Sequence, residues 1–170
     1  MPLTRDHVRL RTTGLLALDD QALIRFGTVE PHQVIKAALA NADLYGPVLE
    51  ALELPPQAVL AVSSFAVAEG WTPQRLAAGT RYASYHVIEA AAVRELGFDL
   101  WPTETFTNGQ PDPRNPVHFD IVVVRDVPMS DLAARTGTPA QRRALRLRFL
   151  PEFQRLLERV EGPWPLEPGS

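Results

Sequence analysis

Four side chains have the types and spacing of a metal site. His86 and Glu89 lie three residues apart. On the long helix expected from Thr72-Pro73 to about Leu96, that spacing puts both on one face. His118 and Asp120 lie two apart, and on a strand that spacing again gives one face. Two imidazoles and two carboxylates are donors suited to Zn²⁺, Mn²⁺ or Fe²⁺. Such a centre would serve a small divalent-metal-dependent hydrolase of nuclease-like chemistry. The bland alternative is chance, since His and Glu three apart recur on many helices, and spacing does not say whether helix and strand face each other.

A second constellation is basic. Arg142, Arg143 and Arg146 fall on one side of the expected C-terminal helix, opposite Ala140, Ala144, Leu145 and Leu147. From Arg135 to Arg159 there are seven Arg against two Glu, in a chain of net charge −3. That asymmetry suggests a contact surface for nucleic acid or an acidic protein partner. The alternative is a solvated outer face, or ion pairing with the acidic remainder of the chain. A net-acidic protein with one lysine, Lys36, is poorly equipped for general nucleic-acid binding. Trp71, Tyr82, Tyr85, Trp101 and Phe106 are core residues or walls of a pocket.

The signatures of several enzyme classes are missing. There is no glycine-rich phosphate loop, no G-x-S-x-G elbow and no H-E-x-x-H. No organic cofactor is expected, and a divalent metal is the one cofactor the residues suggest.

Two partial resemblances stand beside these readings. Ser130 to Gly137, followed by Thr138-Pro139 and a basic helix, resembles the first helix and turn of helix-turn-helix motifs. Leu132, Ala133 and Gly137 occupy matching positions. The second helix departs from the motif: six and nine residues past the glycine stand Arg143 and Arg146, where a tri-helical core needs apolar side chains. Ile88-Glu89, Leu96-Gly97-Phe98 and Phe119-Asp120 are similar to the opening of Mrr-type nucleases. That family needs a lysine on the next strand, and here Val122, Val123, Val124 and Arg125 follow Asp120. Neither resemblance carries a residue role over.

The elements that would position these groups follow from periodicity and punctuation. His7 to Thr13 alternates as a half-buried strand. Leu15–Leu18 and Ala22–Phe26 flank Asp19-Asp20-Gln21 as a hairpin, so an N-terminal three-strand meander is expected. Thr28 reads as the N-cap of a helix carrying Val34, Ile35, Ala38, Leu39 and Ala42. Gly46-Pro47 opens a short second helix. The 57–69 run fits either a buried strand or a buried helix, with a slight preference for strand. Leu100 to Phe106 reads as an irregular edge strand, and 107–116 as an exposed, mobile loop with an Asn108-Gly109 turn. Val117–Arg125 is the strongest strand signal. Ser130 caps a short helix. Thr138, Pro139 and Gln141 form a capping box for the last helix, which Pro151 should kink, turning the apolar stripe to Phe153, Leu156, Leu157 and Val160.

This pattern indicates an α+β fold: an antiparallel or mixed sheet, built from the meander and a strand at 117–125, with helices packed against it. The 170 residues suit one compact domain over 1–161, with an irregular tail over 162–170. Lack of cysteine fits a reducing cytoplasm. Arginine outnumbers lysine sixteen to one, as a GC-rich bacterial genome would encode. A polar N-terminus and no long apolar run argue against secretion and membrane insertion. The reading drawn from sequence is a cytoplasmic binding or regulatory module, homo-oligomeric, acting through its Arg-rich helix. The metal-dependent hydrolase is the alternative.

Overall fold

The computed structural model describes residues 5–15, 20–125 and 138–167. Its centre is an antiparallel sheet. The strands are β1 (His7–Leu10), β2 (Ala22–Arg25), β3 (Ala58–Ala66), β4 (Ser84–Glu89), β5 (Asp99–Thr107), β6 (Gln110–Pro111), β7 (His118–Arg125) and β8 (Glu161–Pro165). They lie in the order β1-β5-β7-β3-β2-β4-β8, with β6 added to β5. Among the described residues, five helices surround the sheet: α1 (Pro31–Ala40), α2 (Gly46–Ala51), α3 (Pro73–Ala77), α4 (Ala90–Glu95) and α5 (Pro139–Glu158). The expected α+β class is therefore observed.

Each face of the sheet has its own cover. Register pairs Val59 with Val124, Ala61 with Val122 and Ser63 with Asp120, so these share one face. Val59, Val122 and Trp101 pack there against Tyr45, Val48 and Leu49 from α2 and the 3-10 turn Ala42–Tyr45 before it. Leu60, Val62, Phe119, Ile121 and Val123 form a core with Val34, Ile35 and Ala38 of α1 and Phe149, Phe153 and Leu156 of α5. The ambiguous 57–69 run resolves as strand because it pairs with β7 along eight residues and is buried on both faces.

Several expectations need correction. The three-strand meander is not formed: β1 pairs with β5, and β2 pairs with β3 and β4, so both neighbours of β2 are taken. Residues 16–18, its expected middle strand, and the 131–136 helix lie outside the described residues. Glu30, rather than Thr28, caps α1 by accepting from the backbone N–H groups of His32 and Gln33. The long helix over 72–96 does not exist. Thr72 does cap α3, but the backbone at Gly79 turns to φ +78°, and the following Ser84–Glu89 is a strand. Its Tyr, Val and Ile are poor helix formers and good strand formers, and the outer edge of β2 gives them a partner. Residues 162–165, expected as part of an irregular tail, instead belong to β8, which closes the sheet against β4. Pro163 and Pro165 fit there because an outermost strand can lack N–H donors.

The Asn108-Gly109 turn holds, with φ of +53° and +74°, as a tight hairpin requires. The rest of 107–116 is not wholly exposed: Asn115 is buried and Asp112 and Arg114 are half-buried. Nor is β5 an edge strand. Asp99–Pro102 pair with β7, while Thr103–Phe106 pair with β1. The Pro102 carbonyl accepts from Arg11 just beyond the end of β1, so the missing N–H of the proline faces the same spent ladder.

Candidate functional site

The split in the sheet creates the site. Beyond Pro102, β5 leaves the β7 ladder, and the inward-facing backbone of Thr103 and Thr105 needs other partners. Side chains supply most of them, and the Asp112 N–H also donates to the Thr105 carbonyl at 3.0 Å. Asn115 accepts from the Thr105 N–H at 3.0 Å and donates to its carbonyl at 3.1 Å. His118 Nδ1 lies 3.1 Å from the Thr103 carbonyl.

These contacts determine the proton positions. A carbonyl only accepts, so His118 carries its proton on Nδ1, and Nε2 is a bare acceptor. Ser63 Oγ stands 2.7 Å from Nε2 and donates to it. A carboxylate likewise only accepts. Asp120 Oδ2 takes hydrogen bonds from Thr103 Oγ1 at 2.9 Å and Tyr45 Oη at 2.8 Å. The Thr103 hydroxyl then accepts from His118 Nδ1 at 2.9 Å, and Tyr45 accepts from Arg5 at 3.3 Å. One chain of hydrogen bonds thus links Ser63, His118, Thr103, Asp120, Tyr45 and Arg5. His118 and Asp120 are 2% and 0% exposed.

The electrostatics agree with that assignment. Burial lowers the His118 pKa to about 4, against the pull of Asp120, so the ring is neutral at neutral pH. Burial first, and then the Asp120 charge, hold the Tyr45 phenol well above its ordinary range, which keeps it a donor. Burial would lower Arg5, but the Asp120 carboxylate, 4.0 Å away, together with Tyr45 and Asp112 outweighs it. Asp120 Oδ1 is buried without a hydrogen-bond partner, 3.9 Å from His118 Nε2.

Ser63 and His118 open onto a cleft of about 350 Å³. Arg5, Arg25 and Arg114 line it beside Asp112, with Phe26, Phe65 and Tyr82 as apolar walls. Tyr82 stacks on Phe26 at 5.4 Å, and the Arg114 guanidinium lies 4.5 Å over Phe65. Arg114 is engaged by Asp112 at 2.8 Å. Burial would raise Asp112, but the hydrogen bonds from Arg114 outweigh it and hold it below its usual range. Arg25 has weaker company. It donates to the carbonyls of Ser63 and Thr28 at 3.4 Å each, and its Nε is buried without a partner. No carboxylate among the described residues lies within ion-pair distance of it, and burial lowers its pKa.

Of the residues singled out from sequence, His118 and Asp120 sit in this site. His86 and Glu89 do not join them. They lie on a strand, where a spacing of three turns side chains to opposite faces. Glu89 is exposed, and the Gly162 backbone covers His86 so closely that a Cβ there would lie 3.2 Å from its Cδ2. Among the described residues, no group of three or more His, Cys, Asp or Glu is placed to hold a metal ion.

The Arg-rich face also changes. Arg142 and Arg146 are half-buried and, with Lys36, Leu39 and Leu145, line a groove of about 420 Å³ between α1 and α5. Arg143 is exposed. Ala140, Ala144 and Leu147, expected to face the core, are exposed instead. One continuous stripe, Leu145-Phe149-Phe153-Leu156, packs inward across Pro151. Pro151 is on the solvent side with Leu147, which is how an unbroken helix accommodates it.

Sequence reasoning missed Ser63, Thr103, Tyr45, Arg5, Arg25 and Arg114. The available signal was polar residues inside otherwise apolar strands: Ser63 in β3, and His118 and Asp120 in β7. Comparison with family models, curated proteins and solved structures finds no match. Among the described residues, no helix is long and apolar enough to cross a membrane.

Proposed function

We propose that the chain is a binding module for a small organic anion, and that its ligand site is the arginine-lined cleft. The observation that supports this most directly is Arg25. It is a half-buried cation, with two long hydrogen bonds and a buried, unpaired Nε. A guanidinium in that condition is best satisfied by a carboxylate or phosphate, which it can meet with two parallel hydrogen bonds. The aromatic walls fit an apolar portion of the same ligand. Calorimetric titration with succinate and with inorganic phosphate tests the reading. The expected result is saturable binding of at least one, weakened roughly ten- to hundredfold by Arg25→Gln, the loss of a charge-assisted hydrogen bond. Failure of both anions to bind would remove it.

A second reading, a polyanion surface, draws support from the groove between α1 and α5, where Lys36, Arg142 and Arg146 converge. Its affinity for nucleic acid would fall steeply with salt. A protein that binds no duplex or single strand at low salt would exclude it.

A further inference from the structure

We propose that Ser63 is an acyl-accepting nucleophile and His118 its base, so that the cleft hydrolyses small esters of anionic acids; this rests on the anion-binding reading above. Nucleophilic serine needs a base within hydrogen-bond reach and a group that orients the base. Both are present. Nε2 accepts the Ser63 proton at 2.7 Å. The Thr103 carbonyl and hydroxyl hold Nδ1–H at 3.1 and 2.9 Å, which excludes the tautomer unable to act as base. Thr103, in turn, is held by Asp120.

The unpaired Asp120 Oδ1 acquires a role in this scheme. In the resting site it faces Nε2, another acceptor, at 3.9 Å. Once Nε2 carries a proton, the same oxygen faces a cation. The buried charge therefore favours the imidazolium over the resting imidazole, and its effect is large because both groups are out of water. Asp120 is a positioning residue here, since it acts through His118.

Ser63 Oγ forms a bond to the ester carbonyl carbon, its proton passes to His118 Nε2, and the carbonyl π pair moves onto oxygen. Arg5 and Arg25 present positive charge to that oxyanion and to the acid's own anionic group. Collapse breaks the bond from carbon to the leaving oxygen, which takes the proton from Nε2 and departs as an alcohol. Water then attacks the acyl carbon and gives a proton to Nε2. Return of that proton to Ser63 Oγ releases the free acid.

The test uses the full chain and p-nitrophenyl hydrogen succinate, an activated ester with a free carboxylate. Phenolate release is followed, and acylated peptides are mapped by mass spectrometry. In parallel, succinate binding to unmodified protein is measured by calorimetry. The expected result is one succinyl group on Ser63, with its rate of formation falling at least hundredfold in His118→Asn, as loss of a general base implies. If that variant does not fold, mapping on the wild-type chain still decides. Succinate binding with no adduct on Ser63, or adducts only on Lys36, tyrosines or the N-terminus, overturns the nucleophile and leaves the anion cleft standing. A Ser63 adduct without succinate binding overturns the anionic substrate class, and the anion cleft falls with it when inorganic phosphate also fails to bind. No adduct and no binding of either anion overturns both.

Discussion

At the scale of the residue, folding makes His118 harder to protonate. The native pKa is about 4, whereas an unfolded histidine titrates near 6.5. As pH falls, the unfolded chain takes up the proton first and the native state is penalised. Stability is full above about pH 6.5, declines through the window down to about 4, and loses no more from this group below it. The slope is about 1.4 kcal/mol per pH unit. The groups facing the ring include Asp120, Arg5 and Asp112, and Asp112 itself titrates below this window. His86, lowered by burial and then by Arg25, contributes with the same sign. Urea unfolding of wild type and His118→Asn between pH 7 and 4.5 separates the two histidines. The variant should lose most of the slope, and equal slopes would show that His118 is not buried as a neutral ring.

Gly14 makes a second residue-scale case. Its φ is +80°, and a Cβ there would lie 2.7 Å from the Pro116 carbonyl and 2.9 Å from Arg11 Nη1. Arg11 anchors the entry to β7 by donating to the His118 carbonyl at 3.1 Å. Gly14→Ala should therefore cost at least about 1–3 kcal/mol in a thermal or chemical melt. A neutral substitution would mean that the turn relaxes away from Pro116.

At the scale of the element, the turn from β6 into β7 depends on Asn115. Its amide imitates one rung of the ladder that β5 and β7 abandon. Asn115→Leu would leave the Thr105 N–H buried without a partner, at about 1–3 kcal/mol, while the Thr105 carbonyl keeps the Asp112 N–H at 3.0 Å. The expected signature is loss of stability together with loss of amide protection at Thr105 in hydrogen exchange. Retained protection would show that water or a neighbouring backbone group replaces the side chain. Helix α5 presents the opposite case. Pro151 removes a hydrogen bond to the Leu147 carbonyl on the solvent side, where the helix has no core contact to keep. Pro151→Ala restores that bond and should raise the melting temperature, by up to about 3 kcal/mol in stability. A lower melting temperature would show that the proline ring makes contacts that matter.

At the scale of the whole molecule, the sheet has two ends, and β8 protects one of them. Glu161–Pro165 covers β4, and Pro163 and Pro165 deny a further strand its donors. Removing residues 161–170 would bare Ser84–Glu89, which contains no proline. The shortened chain should associate with rising concentration in sedimentation experiments where the full chain does not change. If the shortened chain stays as dispersed as the full one, β8 is not guarding that edge.

Local chemistry in the sequence determined much of the frame. The apolar run at Val117–Arg125 dictated a buried strand. Thr138, Pro139 and Gln141 dictated where α5 begins, and Asn108-Gly109 dictated a hairpin, because caps and turns are interactions between near neighbours. The α+β class followed from those same signals. What the sequence did not determine was pairing between distant strands. Ser84–Glu89 reads as the middle of a helix until the open edge of β2 claims it. His7–Leu10 has the same alternation whether it pairs with Ala22–Arg25 or with β5. The site depends wholly on such choices. Ser63, Thr103 and His118 come from three strands, Tyr45 from a 3-10 turn and Arg5 from the segment before β1. Ser63 and His118 stand out as polar residues in apolar strands, but Thr103, Tyr45 and Arg5 look ordinary in their own stretches of chain. They meet because β5 parts from β7 at Pro102 and leaves backbone groups that side chains help to satisfy. That requirement exists in the folded sheet and has no counterpart in the spacing of residues along the chain.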